Sequence, residues 1–190
     1  RSSAASDVYK RQTDYIFISI KAHGITNIAD SLKKIMHDKT AIISAVNGLP
    51  WWYFYKAKTG TELDDKHIES VDPSGKIWNT IKPEKAIGCV VYPACEIIEP
   101  GVIKHNYGER LSMGEPDGIK SERLKKIANL LIEGGLKVPQ KNNLRDEIWI
   151  KLWGNCCFNI ISALYNKSLD EIGKDKDLLN VVSKMMEECK

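Results

Sequence analysis

The sequence predicts an α/β domain that passes into an all-α segment near residue 143. Two apolar, β-rich runs, 15–20 and 41–46, flank a stretch in which Ile25, Ile28, Ala29, Leu32 and Ile35 recur at helical spacing. Strand, helix, strand with short links is a βαβ unit, and parallel strands are its normal outcome. From Leu144 onward the β-rich runs stop, and a long apolar helix leads into amphipathic helical sequence.

The elements follow in chain order. Residues 1–12, RSSAASDVYKRQ, are small and polar, with no apolar period and no apolar stretch of the kind a signal peptide needs. They read as a non-native tail, outside the fold. The run from Tyr15 to Ile20 is a buried strand, with Lys21-Ala-His-Gly24 as its exit loop. A helix runs from Ile25 to about His37, and the second strand, Ala41 to Val46, is closed by Asn47-Gly48. Residues 55–85 are polar and read as an irregular excursion with a short strand around 69–71. A third strand covers 86–92. Pro100-Gly101 signals a turn, and 102–106 with 110–114 read as the arms of a hairpin bent at 107–109. Ser121 opens a helix running to about Glu133, which Gly134-Gly135 ends. Residues 136–139 read as an edge strand, because proline tolerates only an edge or an end. The apolar helix then runs from Leu144 to about Tyr165. Ser168-Leu-Asp-Glu171 resembles a capping box, and 177–190 is helical and amphipathic.

Composition narrows the function classes. The chain has 190 residues and 43% hydrophobic content, ordinary for a globular protein. Its net charge of +3 is small and falls further without the tail, so nothing points to nucleic acid. No run of about 18 apolar residues is present to span a membrane. Five cysteines, Cys89, Cys95, Cys156, Cys157 and Cys189, include no C-x-x-C pair. That pattern argues against a disulfide framework and against a zinc site, and free thiols fit a reducing cytoplasm.

In open parallel sheets, ligands bind beyond the carboxyl ends of the strands. Lys21, Asn47 and the backbone at Ala94 fall just past predicted strand ends. Lys21 there can meet a phosphate, a ribose or a substrate oxygen; its alternative is a solvated loop lysine. For Asn47-Gly48 the alternative is a plain turn. The stronger signal is Lys151, Asn155 and Asn159, at steps of four on an otherwise apolar helix. At about 100° per residue such steps drift only about 40° each, so the three share one face. A helix that apolar is expected to be buried, and an ammonium there is costly without partners or a task. Lys151 can serve as a general acid, while Asn155 and Asn159 can hold a carboxylate or hydroxyl. Spacing alone balances that reading against a snorkelling lysine above two structural asparagines. His23 reads as a loop residue, the 51–54 aromatics as packing, and Glu115 with Asp117 as a turn. No G-x-G-x-x-G occurs.

Several segments taken together resemble the ketopantoate reductase (2-dehydropantoate 2-reductase) family. They are Ile20-Lys-Ala-His23, Asn47-Gly-Leu-Pro50, Gly88-Cys-Val-Val-Tyr-Pro-Ala94, Pro100-Gly-Val-Ile-Lys-His105 and Leu111-Ser-Met-Gly-Glu-Pro116. The most specific is Arg145-Asp-Glu-Ile-Trp149 with Lys151-Leu-Trp-Gly-Asn155 and Asn159. The resemblance spans 13–190 and implies a Rossmann-type NADP-binding domain followed by an α-helical domain, with the site in the cleft between them. Both would be incomplete: 13–143 the C-terminal part of the first, 144–190 the start of the second. The glycine-rich turn would lie before Thr13 and the distal helices after Lys190, so the fragment alone is expected to be inactive.

The implied activity is NADPH-dependent reduction of ketopantoate to pantoate, on the route to pantothenate and coenzyme A. By the same resemblance Lys151 is the catalytic acid, and Asn155 and Asn159 bind substrate. Lys21, Asn47 and Ala94 meet the cofactor, and no metal takes part. The implied partner is a small-molecule 2-keto acid, with a homodimer as the assembly to test and neither nucleic acid nor membrane involved. Two readings compete: a related NAD(P)-dependent hydroxy acid dehydrogenase with another substrate, and a non-catalytic nucleotide-sensing module. Ile160, where many relatives have proline, and the Pro50-Trp51-Trp52 segment mark a branch within the family.

Overall fold

The computed structural model describes residues 12–189; the expected tail lies, but for Gln12, outside the described residues. The chain forms two compact units that part between Arg145 and Asp146. The first unit is built on a four-stranded sheet of order β1-β2-β3-β6. Strands β1 (Thr13–Ile18), β2 (Met36–Ser44) and β3 (Ala86–Val91) are parallel neighbours, and β6 (Leu111–Gly114) closes the sheet antiparallel to β3. Helix α1 (Ile25–Ile35) makes the crossover between β1 and β2, as the βαβ pattern requires.

Strand β2 begins five residues before the expected Ala41, and α1 stops at Ile35 rather than at His37. The polar stretch Met36-His-Asp-Lys-Thr40 looks like a loop, yet Thr40 pins it. Its buried hydroxyl donates to the Thr13 carbonyl at 2.6 Å and accepts from the His37 amide at 2.8 Å.

The expected strand at 69–71 is absent. A 3₁₀ turn (Pro73–Gly75) and helix α2 (Lys76–Ile81) follow there instead. Asp72 is the cause: fully buried, it accepts from the amides of Ile77 at 2.7 Å and Trp78 at 2.8 Å, satisfying donors that a helix start leaves orphaned. Ile77 and Ile81, one turn apart, are both buried.

The expected hairpin is also re-paired. Strands β4 (Ala94–Glu99) and β5 (Val102–Tyr107) pair with each other around Pro100-Gly101, while the 111–114 segment joins the main sheet. Burial explains the choice. Ser112 and Met113 are fully buried beside β3, whereas nearly all of the β4–β5 hairpin is exposed, with Ile97 facing Ile103 across it. The 136–139 segment is not a strand: it holds one isolated bridge, Arg110 to Lys137, and a second, Met113 to Gln140, lies just past it.

Helix α3 (Glu122–Glu133) starts where Ser121 accepts the Leu124 amide. It covers one face of the sheet by burying Leu124, Ile127 and Ala128 against Ile43, Ile87 and Met113. A bidentate ion pair from Arg123 to the buried Glu115, at 2.6 and 2.8 Å, ties its first turn to the end of β6.

In the second unit, the long helix α4 (Leu144–Tyr165) continues past Arg145 and packs with α5 (Leu169–Lys174) and α6 (Lys176–Glu188) around Cys157, Ile161, Ile172, Leu178 and Val182. The Trp153 indole donates to the Met186 carbonyl at 2.8 Å. Helix α4 is not buried all round as expected: Trp149, Ile150, Ile160, Leu164 and Tyr165 stay exposed. Helices α5 and α6 cover only the stripe that bears Cys157 and Ile161. The capping box at Ser168 is formed, with Ser168 and Glu171 bonding each other's amides.

Candidate functional site

Three of the expected site residues lie along one end of the main sheet. Lys21, Asn47 and Ala94 each stand three residues beyond the last residue of a parallel strand: Ile18 of β1, Ser44 of β2 and Val91 of β3. Ile18 pairs with Ser44, so β1 and β2 end level, while Ser44 pairs with Gly88 and β3 runs three residues further, to Val91. The Ala45 amide extends the ladder to the Ile18 carbonyl at 2.9 Å. Lys21 and Asn47 are exposed, and Ala94, partly buried, opens β4. A cation, a carboxamide and a main-chain segment are thus presented where ligands of open parallel sheets bind.

An apolar recess opens beside this edge. Ala22, Ile25, Val46, Asn47, Pro50 and Ile77 contribute to its wall. Ser44 and Trp51 also line it, and both are buried. The Ser44 hydroxyl and the Trp51 indole N–H have no hydrogen-bond partner among the described residues. Buried polar atoms of this kind call for a partner, and a bound ligand can supply one.

The segment after Asn47 is rigid for reasons the sequence only half disclosed. Trp51 and Trp52 are each 1% exposed. The Trp52 ring occupies the space a side chain on Gly88 would need, since a Cβ there would lie 2.6 Å from it. Arg145, which the sequence shows only as part of a motif, donates to the carbonyls of Tyr53, Tyr55 and Pro116. Burial pulls its pKa below the ordinary guanidinium value, against the opposing pull of Tyr53, Asp64 and Asp117. An arginine in the first turn of a helix gives no sequence sign of such a role. His23 is exposed and lies in a 3₁₀ turn, Ala22–Gly24, rather than in the open exit loop expected. Asp117 carries an ion pair with Lys56 at 3.0 Å, and Glu115 belongs to the Arg123 pair, so the two carboxylates serve separate structural bonds.

In the second unit, Lys151, Asn155 and Asn159 follow one another at steps of four along α4, spanning about 12 Å. Lys151 and Asn155 are half-buried and Asn159 is exposed. No group of three or more acidic, histidine or cysteine side chains able to hold a metal occurs among the described residues. Nor, among them, is any helix long and apolar enough to cross a membrane.

Comparisons with known proteins bear on the family and the fold. The family model described as ketopantoate reductase PanE/ApbA matches residues 1–118, and that for the C-terminal part of the same family matches 143–190. A 2-dehydropantoate 2-reductase of Mesorhizobium japonicum is 42% identical over 176 residues, which cover 93% of this chain and 53% of the relative. A crystal structure assigned to the ketopantoate reductases, from Ralstonia solanacearum, superposes with a TM-score of 0.87 at 33% identity, covering 95% of this chain and 55% of that one. D-mandelate dehydrogenase in complex with NADH superposes with a TM-score of 0.74 over 94% of this chain and 52% of that one; at 17% identity the likeness is one of fold alone. The chain spans about half the length of the relatives it matches.

Proposed function

The chain belongs to the ketopantoate reductase family, and from that premise we propose that the protein of which it forms part reduces the keto group of 2-dehydropantoate to give pantoate, with NADPH as reductant. The observation that carries this reading is the placement of Lys21 and Asn47 at equal offsets past two parallel strands that end level, with Ala94 past the same end of the third.

These residues suit the nicotinamide end of a dinucleotide. Lys21 supplies a cation and Asn47 both a donor and an acceptor, while the recess beside them offers two buried donors without partners. When bound, the cofactor supplies the hydride. The chain's own residues do the rest. Lys21 and Asn47 orient the ribose and the reacting edge, and the main chain at Ala94 sets the approach of the ring. Lys151 holds a proton on Nζ, polarises the keto oxygen and gives that proton up as charge develops there. Asn155 and Asn159 hold the substrate's carboxylate and hydroxyl by directed hydrogen bonds. A partly buried lysine on a helix suits this task, because the helix fixes the root of its side chain.

The test is a substrate panel with the protein at the length of its relatives. Oxidation of NADPH is followed with ketopantoate, pyruvate and benzoylformate, and repeated with NADH. The proposal expects ketopantoate with NADPH to give the highest kcat/KM. Preference for another keto acid would refute the substrate, preference for NADH the cofactor, and no oxidation with any of them the enzymatic reading.

A further inference from the structure

Arg145 has a bonding pattern that the proposed chemistry leaves unused. Its Nε donates to the Tyr53 carbonyl at 2.7 Å, Nη2 to Tyr55 at 2.7 Å and Nη1 to Pro116 at 2.6 Å. All three acceptors are main-chain carbonyls, so the half-buried cation is held by dipoles rather than by a bonded carboxylate. The rings of Trp52 and Tyr53 stand 5.7 and 5.8 Å from its Cζ. A planar fork of donors can reach three carbonyls in fixed directions; a lysine ammonium cannot reproduce that geometry.

Two of those carbonyls lie on the segment that leaves β2 through Asn47. Past Asn47 the chain turns on itself, with Tyr53 N bonded to Pro50 O at 3.0 Å and Tyr55 N to Trp52 O at 2.8 Å. Trp51 and Trp52 are sunk in the core, and Arg145 holds the residues that follow. Asn47 is therefore flanked by two fixed pieces, the end of β2 before it and the anchored aromatic segment after it. Between them, Asn47 itself is exposed and Gly48 has φ +95°, a left-handed conformation that favours glycine.

We infer that Arg145 is a positioning residue for the strand-end site: it locks the Trp51–Tyr55 segment so that Asn47 presents its amide in one orientation. The inference rests on the proposed role of Asn47.

The test has two arms, using Arg145→Ala and Arg145→Lys in the protein at the length of its relatives. The first arm needs no activity. Trypsin cleavage after Lys56 and Lys58, both exposed and just past the anchored carbonyls, should be at least about tenfold faster in R145A, the scale expected when a local tether is lost. Cleavage at Lys104 in the β4–β5 hairpin should be unchanged. Equal rates at Lys56 and Lys58 would overturn the tether. The second arm is a double-mutant cycle on kcat/KM, assayed well below each variant's unfolding midpoint. R145A should lose about 10²-fold, the scale of a small misplacement of a site group, with R145K between it and the wild type. In an Asn47→Ala background the same change should cost almost nothing, because its effect passes through Asn47. An equal loss with and without Asn47 would overturn the positioning role. R145K carries both arms if R145A does not fold. Should the wild type turn over no keto acid, the proposed function fails, and the cleavage rates alone then decide whether Arg145 locks the segment.

Discussion

Replacing Gly88 by alanine tests whether the aromatic segment is seated on the sheet. Gly88 lies in β3, and a Cβ there would stand 2.4 Å from Leu144 Cδ2 and 2.6 and 2.7 Å from Trp52 Cζ2 and Cη2. Carbon atoms in good contact stand about 3.5–4.0 Å apart, so the new methyl overlaps both neighbours by about 1 Å. Neither can move cheaply, since Trp52 and Leu144 are buried and Arg145 holds the carbonyl of the residue after Trp52. Overpacking of this kind costs about 1–3 kcal/mol, and overlap on two sides puts the expected cost near about 3 kcal/mol. With a urea m-value of about 2 kcal/mol/M, the unfolding midpoint should fall by about 1 M or more, read by tryptophan fluorescence. Gly173 in α5 is the matched control. It has no atom within 4 Å of its ideal Cβ, so the same change there should stabilise by up to about 1 kcal/mol through helix propensity. A neutral or stabilising Gly88→Ala would refute the seating of Trp52 on β3, and with it the anchor invoked for Asn47.

Three further outcomes follow from the same structure. Asp72→Ala removes the acceptor for two amides at the start of α2 and should destabilise the first unit by about 2 kcal/mol, measured by urea unfolding. Helices α5 and α6 should loosen in acid. Hydrogen bonds from the Ser168 amide and hydroxyl hold Glu171 below the usual carboxylate range, and the Lys167 ammonium with the Leu178 amide does the same for Asp175. Depressed folded-state values add stability that is present above the ordinary carboxylate values near about 4 and lost as pH falls below them; helical ellipticity should fall in that range, and less so in Asp175→Asn. Among the thiols, exposed Cys95 and Cys189 should react with a disulfide reagent at once, while Cys89 and Cys157 wait for unfolding. Burial, with a smaller contribution from Cys189, pushes the Cys157 thiol pKa up.

Elements with a clean periodic or capping signal were legible in the sequence. The helix from Leu144 to Tyr165, the Ser121 start of α3 and the Ser168 capping box stand where the residues place them. The apolar runs before Lys21 and Asn47 were legible as strands, though each ends two residues sooner than expected, at Ile18 and Ser44. What could not be read depended on distant partners. Met36 to Thr40 is polar, and bonds from Thr40 to the Thr13 carbonyl and from Lys85 to the His37 and Asp38 carbonyls help hold it as strand. The pairing of 111–114 with β3 rather than with 102–106 was decided by which segment could be buried, a competition that local pattern does not record. Helix α2 did have a local sign, Asp72-Pro73 before Ile77 and Ile81, which the polar character around it masked. The three-carbonyl role of Arg145 had none, because its acceptors lie 29 to 92 residues away.

The proposed chemistry turns on Lys151, and Lys151→Ala in the protein at the length of its relatives tests it most directly. At saturating ketopantoate, kcat should fall by about 10²–10⁴-fold, the usual contribution of a general acid, while the NADPH dissociation constant stays within about twofold of wild type. A kcat left unchanged at saturating substrate would contradict the assignment of Lys151 as the proton donor.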